Sequence, residues 1–262
     1  KTWVELYANK QSPLDNPERP GMAAWVASNR ISDQIFILKR NPYYIGVDKA
    51  GNQLPYIDEI QIKFFADAQA LNLAAIAGEL DEQERHINLL NYPVLKENEQ
   101  KQGKYKIFLW SSPGGFDAGV IFNQTYAKDP ELAKVMANKD FRIAMSYAIN
   151  RKQINESAFL GTGEPRQGVP KKGHPYYPGD EYAFKYTQYD PAKANQMLDN
   201  LGYAKGTDGW RHSRGGTKLG PYELLIVEGW SDWEAAAEIV KENLVQVGVD
   251  ITVKLVDDTT YF

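Results

Sequence analysis

The sequence contains no cysteine. This absence excludes disulfide bonds, thiolate metal sites and a cysteine nucleophile, although it does not decide the cellular compartment. No apolar run approaches the roughly 20 residues that a membrane-spanning helix requires. The first ten residues, KTWVELYANK, lack the apolar core of a secretory signal peptide. The length of 262 residues predicts one or two domains.

Motifs of the common enzyme classes are also absent. The three histidines, His86, His174 and His212, are scattered and are not paired at metal-ligand spacing. The stretch SPGGF at 112–116 resembles a phosphate-cradling loop, but Pro-Gly-Gly is more often a simple turn. Because no nucleophile, base and orienting group come together, we assign no catalytic residue and no metal site. Lysine and arginine are dispersed in a chain of net charge −4, which argues against a nucleic-acid partner.

Aromatic residues, in contrast, are abundant: the chain has six tryptophans, sixteen tyrosines and ten phenylalanines. Many of these rings must fill the core. The excess is what a surface that stacks on ligands would also need.

Hydrophobic periodicity predicts a mixed α/β chain. The predicted strands lie at 34–40, 57–65, 105–112, 119–124, 222–228 and 250–256, and the predicted helices at 67–78, 140–159, 190–203 and 232–247. Residues 1–30 and 161–182 are predicted to be loops. The strand, helix and strand at 222–256 form a βαβ unit, which implies two parallel strands with the helix on one face of the sheet.

The stretch GWSDWEAAAEIVKENL, at 229–244, is open to three interpretations. Asp232 lies between two tryptophans where the helix begins, so it is a candidate catalytic acid, cap-region charge or ligand contact. Ser231 and Glu234 have the spacing of a capping box, which makes Ser231 the predicted N-cap. Trp230 occupies the position of a hydrophobic staple. Capping does not explain why both neighbours of this Ser-Asp pair are tryptophan at the end of a sheet where α/β proteins bind ligands.

Five segments of the chain, the last of which includes this stretch, carry a recognisable pattern. They are RNPYYIGVDKAGNQLPYIDEI (40–60), AGELDEQ (77–83), FNQTYAKDPELAKVMANKDFRIAMSYAINRKQI (122–154), YDPAKANQMLDNLGY (189–203) and LLIVEGWSDWEAAAEIVKENLVQVGVDITVKL (224–255). In this order they resemble the family 5 extracellular solute-binding proteins, the substrate-binding components of peptide, nickel and oligosaccharide ABC importers. Asn150 and Phe141 depart from the residues usual in that family.

The resemblance implies an α/β fold of the periplasmic-binding-protein type (type II, cluster C). It covers residues 30–260 and implies a fragment, because members of the family have two lobes and the chain would lack the first half and the C-terminal return. Residues 1–105 are expected to be the C-terminal portion of lobe I. Residues 106–262 are expected to be most of lobe II.

The resemblance also bears on the candidate site. In peptide-binding members, an aspartate in the loop before this helix accepts the ligand's α-ammonium group, and Asp232 occupies the matching position. In oligosaccharide-binding members, the same loop carries tryptophans that stack on sugar rings, which Trp230 and Trp233 resemble. Asn123 and Trp110 are further candidates, although strand-end hydrogen bonding and core packing explain them equally well.

The function implied by the resemblance is capture of an oligopeptide or oligosaccharide by hinge closure of two lobes, followed by delivery to ABC permease subunits. No cofactor is expected. A periplasmic or extracytoplasmic location is implied, with membrane contact only through a lipid anchor upstream of this chain. Two alternatives remain open: a hydrolase that uses Asp232 with a second carboxylate, and a peptide chaperone or receptor of the same fold without a transporter.

Overall fold

A computed structural model describes residues 2–110 and 114–262. They form two compact units, the first ending at Ala66 and the second comprising Asp67–Phe262. Ser112 and Pro113 of the predicted Pro-Gly-Gly turn lie outside the described residues. Within the described ranges, none of the helices combines the length and the apolar character needed to span a membrane.

The first unit contains one helix and a three-stranded antiparallel sheet. Its elements are α1 (Trp3–Gln11), β1 (Trp25–Ala27), β2 (Ile35–Arg40) and β3 (Glu59–Lys63), with β2 in the centre. The strands predicted at 34–40 and 57–65 are confirmed as β2 and β3. The loop predicted for residues 1–30 is wrong at α1, because Thr2 and Glu5 form a capping box that starts a helix there. It is also wrong at β1, which pairs with β2. The second predicted loop is wrong at its end, where Asp180–Ala183 form a short helix.

The second unit contains nine of the helices and the other two strands of the described chain. Its elements are α2 (Ala68–Ala77), a 3-10 turn (Leu89–Asn91), α3 (Tyr92–Gln102), α4 (Pro130–Ala137), α5 (Lys139–Ala148), α6 (Arg151–Ala158), α7 (Asp180–Ala183), α8 (Pro191–Asn200), β4 (Tyr222–Val227), α9 (Ser231–Gln246), β5 (Ile251–Val256) and α10 (Asp258–Tyr261). Its core lies between α5, α8, α9 and the β4–β5 sheet, and Phe141, Met145, Leu198, Leu244 and Val249 are almost fully buried in it.

The predicted βαβ unit is confirmed. Strands β4 and β5 are parallel and in register from Tyr222 opposite Ile251 to Val227 opposite Val256. The connecting helix α9 places Ala236, Val240 and Leu244 in the core, as its apolar stripe predicted. The helix predicted at 190–203 is also confirmed, as α8. The Asp190 side chain accepts a hydrogen bond from the Lys193 N–H at its start.

The strands predicted at 105–112 and 119–124 are wrong wherever the structure describes those segments, because neither contains a strand. The backbone N–H of Ile107 donates to the carboxylate of Glu99 at 3.0 Å instead of to a neighbouring strand. In the second segment, Val120 and Phe122 pack against the core. Apolar segments can therefore find hydrogen-bond acceptors for backbone N–H groups, or bury side chains, without joining a sheet.

The single helix predicted at 140–159 is in fact two helices, α5 and α6, which are separated at Ile149 and Asn150. The Asn150 side chain accepts from the Gln153 N–H and so starts α6 as its N-cap. The Asn150 N–H donates to Asn243 Oδ1 on α9 at 2.7 Å, and Asn243 is only 4% exposed. This buried hydrogen bond fixes the helix break against α9.

Replacing Asn243 with leucine should therefore lower the free energy of unfolding by about 1–3 kcal/mol, because the Asn150 N–H would be left buried without its acceptor. Urea denaturation of the variant measures this loss. Asn200→Leu, at an exposed position of α8, is the matched control and should cost less than 0.5 kcal/mol or so. Equal losses in the two variants would contradict the importance of the Asn150–Asn243 bond.

Candidate functional site

The site lies at the carboxyl edge of the β4–β5 sheet. Because the two strands are parallel, the chain leaves both at the same edge, β4 into residues 228–230 and α9, and β5 into α10. This edge is where open α/β sheets bind ligands. The first turn of α9 and the whole of α10 therefore place their side chains beside each other.

Four aromatic rings meet at this edge and are called the aromatic cluster here: Trp230, Trp233, Tyr261 and Phe262. The centroids of Trp230 and Trp233 lie 4.7 Å apart in an edge-to-face arrangement, and those of Tyr261 and Phe262 lie 4.9 Å apart. Trp233 contacts Tyr261 at 6.1 Å and Trp230 contacts Phe262 at 6.3 Å. Each ring thus has two ring neighbours within the cluster, so the cluster is a preformed aromatic surface.

The two tryptophans differ in their polar ends. The Trp233 indole N–H donates to the Asp117 carbonyl at 2.9 Å, which fixes that ring by a contact far along the chain. The Trp230 indole N–H has no hydrogen-bond partner among the described residues, and Trp230 is only partly buried. A ligand at the cluster would therefore find one anchored ring and one ring with an available donor.

Asp232 lies in the first turn of α9 and is partly buried. Its Oδ1 accepts from the Trp233 N–H at 3.0 Å. No lysine, arginine or histidine forms an ion pair with it in the described part of the chain. Its charge is favourable at a helix N-terminus, and the second carboxylate oxygen remains available to accept hydrogen bonds or meet a cation.

The predicted capping box is wrong. The N-cap residue of α9 is Trp230, and no side chain caps the helix. The Ser231 hydroxyl instead accepts from Asn88 Nδ2 at 2.5 Å, and the Glu234 carboxylate accepts from the Gly229 N–H at 2.7 Å. The hydrogen-bond partner of Ser231 is thus 143 residues away in the sequence, and the spacing of residues within 229–244 contains no information on it.

A large open groove of about 3040 Å³ runs through the second unit, and the candidate residues line it. Trp230, Asp232 and Trp233 lie together on its wall. Trp110 and Asn123 also line it, but among the described residues no ring pair or hydrogen bond joins them to the aromatic cluster. The groove volume exceeds the roughly 300–1,000 Å³ of a typical small-molecule pocket.

Trp110 and Asn123 are not on strands, in contrast to the prediction. Trp110 is 77% exposed, so it is not a core residue. The Asn123 Oδ1 accepts from both the backbone N–H and the hydroxyl of Thr125, at 3.0 and 3.1 Å. That oxygen is occupied by a local turn, and the Asn123 amide N–H groups are the part of the side chain that remains for a ligand.

Three residues of the site were missed by sequence reasoning: His86, Tyr261 and Phe262. The His86 ring packs edge-on against Trp230 with centroids 6.3 Å apart. A usable signal for Tyr261 existed, because Asp257 and Thr260 have the spacing of an N-cap, and Asp257 does accept from the Thr260 N–H. Within residues 2–110 and 114–262, no group of three His, Asp or Glu side chains is arranged to hold a metal ion.

Comparison with known proteins identifies the family. The sequence profile of the bacterial extracellular solute-binding proteins, family 5 (middle region), matches residues 8–262. The periplasmic alpha-galactoside-binding protein of Rhizobium meliloti is 31% identical over 205 residues, which are 75% of this chain and 29% of that protein.

Solved structures of binding proteins are also similar to this chain. A periplasmic oligopeptide-binding protein of an oligopeptide ABC transporter from Thermotoga maritima, determined with bound mannohexaose, has a TM-score of 0.70 and 27% identity, and the match covers 100% of this chain and 46% of that one. The oligopeptide-binding protein OppA has a TM-score of 0.60 and 35% identity, with 100% and 41% covered. The chain thus spans less than half the length of these relatives, and it shares their periplasmic-binding-protein fold. It belongs to the bacterial extracellular solute-binding proteins, family 5.

Proposed function

We propose that the protein containing this chain is the extracytoplasmic substrate-binding component of an ABC importer, and that the aromatic cluster with Asp232 contacts its ligand. The observation that carries the proposal is the pair of tryptophans at the carboxyl edge of β4 around a carboxylate that has no ion-pair partner within residues 2–110 and 114–262. The ligand closes two lobes around itself, and the closed form is the one that the permease recognises.

An oligosaccharide is the ligand class that the cluster favours. Sugar rings present apolar C–H faces to aromatic rings and hydroxyl groups to carboxylates, and the cluster offers both kinds of partner side by side. The family relatives include a protein named for alpha-galactoside binding and one determined with mannohexaose. The groove, at about 3040 Å³, has room for several sugar units.

An oligopeptide is the second candidate, and a separate observation favours it. Asp232 has no cationic partner in the residues that the structure describes, so it is available to a ligand α-ammonium group. The resemblance to OppA, at 35% identity, points the same way.

The proposal includes no catalytic step and no cofactor. A hydrolase would need a second carboxylate roughly 5–9.5 Å from the first. Glu234, the next carboxylate along α9, accepts a hydrogen bond from the Gly229 N–H, which favours a structural role for it. A receptor or chaperone of the same fold would bind the same ligands without a permease.

Isothermal titration calorimetry of the full-length protein tests the proposal with stachyose, mannohexaose and a pentapeptide as probes. We expect saturable 1:1 binding of at least one oligosaccharide. Binding of the pentapeptide alone would move the ligand class to peptides. Absence of binding to every probe would contradict the proposed function.

A further inference from the structure

The segment 86–91 lies against the start of α9, although the two are far apart in sequence. Asn88 Nδ2 donates to the Ser231 hydroxyl at 2.5 Å, and the His86 ring packs against the edge of Trp230. His86, Asn88, Trp230 and Ser231 all line the same groove. The segment therefore touches the residue that begins α9 and the one immediately before it.

The backbone of this segment is organised by Asn72 on α2, which is only 4% exposed. Its amide nitrogen donates to the carbonyls of Ala68 and His86, both at 2.7 Å. Its amide oxygen accepts from the Asn88 N–H at 3.0 Å and from Asn91 Nδ2 at 3.1 Å. All four hydrogen-bonding positions of the amide are used.

An asparagine is the side chain of this size that combines two donors with an acceptor for two hydrogen bonds. Aspartate has the same shape but would present a carboxylate oxygen to the two carbonyls that Asn72 now satisfies. His86 has a φ of 63°, a left-handed conformation that residues other than glycine seldom adopt. The bond from Asn72 to the His86 carbonyl holds the chain in that conformation and so determines where Asn88 points.

We infer that Asn72 and Asn88 are positioning residues of the ligand site. Asn72 fixes segment 86–91, and Asn88 then holds Ser231 and thereby sets the orientation of Trp230 relative to Trp233. The inference rests on the proposed function, because its consequence is for ligand affinity.

The ring geometry is tested first, without ligand. Two indole rings 4.7 Å apart couple their electronic transitions and give a paired signal in circular dichroism. In the full-length protein, Asn72→Asp, Asn88→Ala and Ser231→Ala should each reduce this signal. Ser231→Thr keeps the hydroxyl and should restore it. Asn98→Ala, which removes an asparagine from α3 away from the groove, is the control and should leave it unchanged.

Affinity is tested second, with stachyose and a pentapeptide as probes. Asn88→Ala and Ser231→Ala should each weaken binding of the probe that the wild type binds by roughly two- to tenfold, the worth of one hydrogen bond. Because both variants remove the same bond, the double variant should bind no more weakly than the weaker single variant. Urea denaturation of these variants and of Asn72→Asp shows whether a lower ring signal or affinity results from unfolding.

A reduced ring signal together with non-additive affinity losses would support the inference. An unchanged ring signal in Asn88→Ala and Ser231→Ala would overturn it, as would affinity losses that simply add. If the wild type binds neither probe, the proposed function fails for those ligand classes, and the ring signal still decides whether Asn72 and Asn88 position the tryptophans.

Discussion

Replacing Trp230 with alanine is expected to weaken oligosaccharide binding by the full-length protein by at least about 2 kcal/mol, roughly 30-fold, because it removes a large ring from the centre of the contact surface. Trp233→Ala should have a similar or larger effect, since it also releases the bond to the Asp117 carbonyl. Asp232→Asn should cost only about 1 kcal/mol, because the asparagine still accepts one hydrogen bond from a sugar hydroxyl.

With a peptide ligand, we expect the affinity losses of the three variants in the reverse order. If Asp232 pairs with an ammonium group, Asp232→Asn should weaken binding by about 2–5 kcal/mol, since the buried cation loses its partner. Asp140→Asn is the matched control, because Asp140 also lies in the first turn of a helix but does not line the groove. Titration calorimetry with stachyose and a pentapeptide measures all four variants. Normal binding by Trp230→Ala, Trp233→Ala and Asp232→Asn would show that this loop is structural.

The largest expected loss of stability comes from Arg211, whose side chain is 2% exposed. Its Nε donates to the Val247 carbonyl at 2.7 Å, and its Nη1 donates to Asp199 Oδ1 and to the Tyr203 carbonyl, both at 2.6 Å. Its Nη2 donates to Asn195 Oδ1 at 2.7 Å. One guanidinium thus joins α8, the turn after it and the end of α9.

Arg211→Ala should lower the free energy of unfolding by about 3–5 kcal/mol, because the Val247 and Tyr203 carbonyls and the Asn195 amide oxygen lose their donor, at about 1–3 kcal/mol for each group left unpaired. Arg211→Lys should recover little of this, because an ammonium group cannot reproduce the planar fork of donors. The control is Arg214→Lys, at an exposed position three residues away, which should change stability by less than about 0.5 kcal/mol. Guanidinium denaturation compares the variants. A loss below 1 kcal/mol or so in Arg211→Ala would contradict the network's role.

The parts of the fold that sequence reasoning predicted correctly are those whose signals are local. The β4–α9–β5 unit has an apolar strand, an apolar helical stripe and a second apolar strand in succession, so periodicity alone determines it. Asp190 and Pro191 likewise mark the start of α8 by capping chemistry within four residues. Family resemblance then supplied the fold class and the family.

The parts that were missed depend on contacts distant in sequence. The spacing predicts Ser231 as the N-cap, but its hydroxyl accepts a hydrogen bond from Asn88, whose own N–H donates to Asn72. The break between α5 and α6 is stabilised by Asn243, some 93 residues further along. Arg211 looks like an ordinary surface charge until its acceptors come together from three elements. Sequence periodicity contains no information on such pairings.

Contacts distant in sequence also limited the prediction of the candidate site. Trp230, Asp232 and Trp233 were found because they are neighbours in one stretch, whereas Tyr261 and Phe262 join them only through the parallel arrangement of β4 and β5. Their ligand roles remain a proposal, as do those of Trp110 and Asn123.

Hydrogen exchange of the full-length protein, with and without saturating ligand, tests the central claim most directly. The ligand is whichever of stachyose, mannohexaose or a pentapeptide binds in calorimetry. We expect the amides of residues 229–234 to gain the strongest protection in this chain, together with those near 86–88 and 261–262. Ligand binding that leaves these amides unprotected while it protects residues elsewhere would contradict a ligand site at the carboxyl edge of β4 and β5.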